Sequence, residues 1–165
     1  MKALKNLEFW LVIVLIVMAF IIGIKFYPHS ASPIVLDNVY LYHWFSWIGA
    51  VYIAVATPVF HILKRRFPNK YQNIMRFHLG GNLVAFLLIS IHFTHQLGTP
   101  PILGNYTHLG LTMYTAFAFQ IVTGVLLRYQ LSKNYMKSIR FIHVALVTTF
   151  YLVVIVHILH GLSVI

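Results

Sequence analysis

Apolar and polar positions fall in long blocks along this chain. Five apolar stretches lie near residues 8–25, 43–63, 77–97, 109–128 and 141–164. Each is long enough, at 1.5 Å of rise per residue, for a helix to cross about 30 Å of hydrocarbon. The blocks between them differ in kind. "KRRFPNKYQNIMR" and "RYQLSKNYMKSIR" are basic, whereas "YPHSASPIVLDNVYLY" and "QLGTPPILGNYTHLG" are nearly chargeless and carry Pro, Gly and aromatic residues. The pattern predicts an all-α integral membrane protein with five transmembrane helices in a single domain, 1–165.

The first apolar stretch outruns the apolar region of a signal peptide, and no A-x-A cleavage site follows it, so it reads as a retained helix. Basic connections belong on the cytoplasmic side. That places the N-terminus in the cytoplasm and the C-terminus outside, in a plasma (inner) membrane. Trp44, Trp47, Tyr40 and Tyr42 suit an outer aromatic belt, and Pro58 is expected to kink the second helix near its inner end. Asn105-Tyr106-Thr107 forms a glycosylation sequon, a pattern common by chance.

Composition strengthens the membrane reading. Of 165 residues, 60% are hydrophobic and 8% charged, against about 25% charged in soluble domains. The formal charge of +10 would suggest nucleic acid in a soluble protein. Here eleven of the twelve Lys and Arg fall at Lys2 and Lys5, in Lys64 to Arg76, and in Arg128 to Arg140. The positive-inside bias accounts for them, and no basic domain stands apart for nucleic acid. Cysteine is absent, which excludes disulfides, thiolate-bound clusters and covalent c-type haem.

Histidine carries the candidate chemistry. The third segment holds His78, His92 and His95, and the fifth holds His143, His157 and His160, each set displaced from the other by 65 positions. Both read His-x13-His-x2-His. Fourteen residues bring a helix nearly four full turns round, so the second histidine faces about 40° from the first and ~21 Å further along. The third and fifth helices run in the same direction. His78 then lies level with His143 towards the inside, and His92 with His157 towards the outside. Each level offers two imidazoles across a bundle, the geometry of bis-histidine ligation of a b-type haem. His95 and His160 turn about 100° from the inner histidines. They suit the edge of the outer haem, where a propionate or a quinone carbonyl accepts a hydrogen bond.

Gly80 and Gly81, one turn past His78, and Gly110 and Gly124 would admit a flat macrocycle, a feature that plain helix packing also produces. Arg76 and Arg140 precede the inner histidines and suit haem propionates, although the positive-inside bias explains them equally well. His43, His61, His29 and His108 fall near helix ends or loops and read as interfacial. A histidine-based metal-ion or proton transporter would use the same residues. Such proteins usually set Asp or Glu within the membrane, whereas Glu8 and Asp37 stand at segment ends, and the five methionines form no copper(I)-like cluster.

Two His-x13-His pairs on two parallel helices resemble the di-haem membrane cytochromes b. Ligands on the third and fifth helices most resemble the ferric-reductase-like transmembrane domain of ferric reductases, NADPH oxidases and the haem-binding membrane subunit of bacterial methionine sulfoxide reductase systems. The resemblance covers residues 43–165 and carries over to His78, His92, His143 and His157. Those families usually add a sixth helix, and the reductases and oxidases continue into a cytoplasmic flavin and NAD(P)H domain. This sequence has no Gly-rich dinucleotide fingerprint, so its electrons are expected from a separate protein or a quinol.

The expectation is therefore a four-helix haem-binding bundle of helices two to five, with the first helix outside it. Two haem b groups would be held by His78 and His143 and by His92 and His157, with Arg76, Arg140, His95, His160 and Gly81 around them. The chain would be an electron-transfer subunit of an oxidoreductase complex, not a catalyst by itself. It would relay single electrons across the lipid between a quinol or protein donor and a redox subunit, extracytoplasmic in one arrangement. A structural anchor of a larger redox complex is the remaining alternative.

Overall fold

The computed structural model describes residues 9–18, 21, 35–36, 39–97 and 107–161; the side chains at 35–36, 39–40, 42, 95–97, 107–108 and 161 lie outside the described set. Helix α1 is described over Phe9–Met18, so the remainder of the first expected span falls outside these residues. Glu8, Asp37, His29, Asn105 and Tyr106 of the sequon, and the side chains of Tyr40 and Tyr42 do too. A two-residue antiparallel pairing joins β1, Val35–Leu36, to β2, Val39–Tyr40.

Four long helices follow: α2 Leu41–Arg66, α3 Tyr71–Leu97, α4 Thr107–Tyr129 and α5 Met136–Gly161. All four are long and apolar enough to cross a membrane, as the sequence predicts. They outlast the apolar blocks on the basic side. Helix α3 begins six residues ahead of the expected 77 and α5 five ahead of 141, because Tyr, Gln, Lys and Met continue a helix into the membrane interface. Pro58 sits inside α2 without ending it.

The chain divides into two compact units, Met1–Thr99 and Pro100–Ile165. In the first, α2 and α3 form an antiparallel hairpin closed by a 3-10 turn at Pro68–Lys70. Small residues set its packing. Gly49 lies against Ala85 and Ile89, where an added Cβ would stand 3.0 Å from Ile89 Cγ1 and 3.2 Å from the Ala85 carbonyl. Close backbone approach of this kind drives association where lipid removes the hydrophobic force. Ile53, Leu83, Phe86 and Ile89 form the buried seam. Ser90 and Thr94, buried on the same helix, return their hydroxyls to the carbonyls of Phe86 and Ser90 at 2.7 and 2.8 Å, so neither polar group is left bare in an apolar setting.

In the second unit, α4 and α5 make a similar hairpin around a 3-10 turn at Lys133–Tyr135, with Phe117 packed on Phe150 at 5.0 Å between ring centroids. Helix α4 ends on Gln130, which takes a left-handed φ of 53°, while the Leu131 N–H reaches the Leu126 carbonyl at 3.3 Å. This is a Schellman closure with glutamine where glycine is usual.

The two hairpins repeat one another. The shift of 65 that relates the histidines also relates the 3-10 turns, Pro68 to Lys133, and the starts of α3 and α5, Tyr71 to Met136. The residues entering those turns share a backbone conformation: Phe67 has φ −131° and ψ 65°, Ser132 φ −132° and ψ 71°. In each hairpin the basic side chains gather at the turn, as Lys64, Arg65, Arg66, Lys70 and Arg76 in one and Arg128, Lys133, Lys137 and Arg140 in the other. Large apolar side chains remain exposed along both, among them Trp47, Val51, Phe77, Phe119, Phe141 and Leu152.

Candidate functional site

Helical continuity decides whether spacing can be read as geometry. Both α3 and α5 run unbroken through their histidines. His78 and His92 therefore stand about 21 Å apart along one helix and nearly in line, and so do His143 and His157. The inner histidine is the eighth residue of its helix in both cases, His78 counted from Tyr71 and His143 from Met136.

Around His78 the first hairpin supplies a ring and an amide. Phe60 of α2 stacks on the imidazole, with centroids 4.2 Å apart and planes 23° from parallel. Asn82, one turn along α3, donates from Nδ2 to the His78 carbonyl at 2.7 Å and lies 3.3 Å from its Nδ1. Asn82 is buried, and its Oδ1 has no hydrogen-bond partner among the described residues. Beside this site an open cleft of about 470 Å³ is lined by Tyr52, Asn73, Arg76, Phe77, Gly80 and Gly81.

The two glycines behave differently. Gly80 has nothing within 4 Å of where a Cβ would be, while the space at Gly81 is taken by the Tyr52 phenol, whose hydroxyl donates to the Phe77 carbonyl at 3.1 Å. Gly81 thus serves helix packing, and Gly80 is the residue that leaves the helix face bare.

His143 is held by the second hairpin. Thr123 Oγ1 on α4 lies 2.9 Å from its Nδ1. The same hydroxyl contacts the Phe119 and Gln120 carbonyls at 2.9 and 3.0 Å. Gly124 gives the ring room, since a Cβ there would stand 3.3 Å from His143 Cε1.

No known family model, curated protein or solved structure matches this chain. What the site does must therefore be read from its own chemistry.

At the other end of the first hairpin, His92 packs beside His43 of α2, centroids 5.0 Å apart and planes 54° apart. Reading each histidine by its own helix misses this neighbour. A sequence signal existed, because His43 and His108 also stand 65 positions apart. Eight of the ten histidines thus belong to the repeat. His157 and His160 are half-buried on α5; His95 lies on α3 with its side chain outside the described set, like that of His108. Arg76 and Arg140 are exposed near the starts of α3 and α5. Among the described residues no three His, Cys, Asp or Glu side chains gather as a metal centre. A haem asks less of the protein, since its porphyrin supplies four of the six iron ligands and two imidazoles complete them. His143 suits that demand within its own hairpin: its Nδ1 lies beside a hydroxyl, and a ligating imidazole commonly uses such a partner to leave Nε2 for the metal.

Proposed function

We propose that this protein is a di-haem b-type cytochrome that relays single electrons across a membrane. The observation that carries the reading is the repeated His-x13-His on two continuous membrane-spanning helices, each opened by the same basic 3-10 turn. His78 and His143 would hold one haem at the level of the basic turns, and His92 and His157 the other, on the order of 20 Å away along the membrane normal. The four long helices would form one bundle around them. When bound, such haems supply reversible one-electron iron chemistry, and two imidazoles leave no open coordination site for oxygen.

The remaining residues would bind and orient. Arg76 and Arg140 stand at the level where propionates would reach the aqueous edge, and a guanidinium is their natural bidentate partner. Bare Gly80 and the cleft that Arg76 lines are consistent with a flat, acid-edged group on that face of α3. His95 and His160 would serve the outer edge, either at a propionate or at a quinol. Basic turns on the cytoplasmic side would place the inner haem there. The electron would pass between a quinol or protein donor and a redox partner on the opposite side. This is the design of the di-haem membrane cytochromes b and of the ferric-reductase-like transmembrane domain.

The deciding experiment is a dithionite-reduced minus oxidised spectrum of the purified protein with a pyridine haemochrome count. Two low-spin b haems per chain are expected, with one lost in His78→Ala or His143→Ala and the other in His92→Ala or His157→Ala. A folded protein expressed with haem available and yet colourless would overturn the reading in favour of a histidine-based transporter.

A further inference from the structure

A histidine that ligates iron through Nε2 must carry its proton on Nδ1, and whatever accepts that proton sets the ring's orientation and donor strength. Thr123 is placed to be that acceptor. Its hydroxyl has one proton, and the carbonyls of Phe119 and Gln120, at 2.9 and 3.0 Å, take it by the back-bonding usual for a threonine within a helix. The oxygen then faces His143 Nδ1 at 2.9 Å with only lone pairs left. With iron on Nε2 and the proton therefore on Nδ1, the hydrogen bond runs from His143 Nδ1–H to Thr123 Oγ1. Thr123 is buried and His143 half-buried.

The first hairpin surrounds its histidine with different groups. Position 58 matches 123 in the repeat and holds Pro58, which has no hydroxyl. His78 instead meets Phe60 and the side-chain amide of Asn82, which lies 3.3 Å from its Nδ1.

We infer that Thr123 is a positioning residue for His143: it fixes the Nδ1–H tautomer and strengthens this imidazole as a donor. The inference rests on the haem relay reading. Accepting the Nδ1 proton gives the ring more imidazolate character, which favours ferric iron and lowers the potential of the haem it ligates. Thr123→Val preserves the shape and removes the acceptor, whereas Thr123→Ser keeps the hydroxyl.

The test is a potentiometric titration of both haems in the full-length wild type and these variants, together with the rate of haem transfer to apomyoglobin. In Thr123→Val the haem that disappears in His143→Ala should move to higher potential and leave about tenfold faster, within the range seen when such supporting partners are lost. The other haem should not move, and Thr123→Ser should match the wild type. If Thr123→Val does not fold, Thr123→Ala decides: it removes the same acceptor with a smaller side chain and should shift the same potential in the same direction. Unchanged potential and retention, equal shifts in both haems, or a serine variant behaving like valine would each overturn the inference while leaving the relay intact. A haem-free wild type would overturn the relay, and the role of Thr123 with it.

Discussion

The neighbouring glycines of α3 offer a test of the packing with its control built in. In haem-free protein an alanine at residue 80 meets nothing within 4 Å, so Gly80→Ala should express only the helix propensity of alanine, a gain of about 1 kcal/mol. At residue 81 the same methyl falls inside the Tyr52 phenol, whose Cε1 would lie 2.8 Å away and whose hydroxyl and Cζ lie closer still. Tyr52 must then swing out as a rigid ring. The displacement costs about 1–3 kcal/mol of overpacking and about 1 kcal/mol for its bond to the Phe77 carbonyl. Less the propensity gain, Gly81→Ala should destabilise by about 1–3 kcal/mol. Removing the ring should reverse the sign: in a Tyr52→Ala background, Gly81→Ala should stabilise by about 1 kcal/mol. The coupling should be about 2–4 kcal/mol, at the upper end for contacting residues. The measurement is a double-mutant cycle by reversible SDS titration in mixed micelles, followed by circular dichroism. Equal effects of Gly80→Ala and Gly81→Ala in the wild type, or a loss at 81 that persists without Tyr52, would refute the argument.

Other expectations follow from single contacts. Gly49→Ala presses a methyl against Ile89 and the Ala85 carbonyl, and since a backbone carbonyl does not yield, it should cost about 1–3 kcal/mol in the same titration; a neutral result would mean that the helices separate freely. Gln130→Gly relieves a left-handed residue that closes α4 and should stabilise by about 1 kcal/mol, with no gain from Gln130→Ala. Gln120 is buried on α4 with Oε1 unpartnered among the described residues. In haem-free protein, Gln120→Met should be neutral or stabilising by up to about 1–3 kcal/mol; a clear loss would show that Oε1 has a partner.

The one-dimensional features of this protein could be read from its residues, because the bilayer imposes them. Hydrocarbon thickness and the rise of a helix turn four runs of apolar residues directly into α2 to α5. The depth of each histidine along its helix follows from the same arithmetic, and so does the alignment of His78 with His92. Pairwise contacts were out of reach. The long helices are apolar nearly all round, so no stripe of polar residues indicates which face a neighbour will cover. Only the packed hairpins set that rotation. They put Tyr52 over Gly81 and leave Gly80 bare, bring His43 against His92, and turn Thr123 towards His143. The duplication lay between these extremes: His43 and His108 were visible as letters, but their place in the repeat needed the matching turns and helix starts. Rise along a helix is fixed by the backbone that every residue shares, whereas rotation about it is fixed by the side chains of another helix.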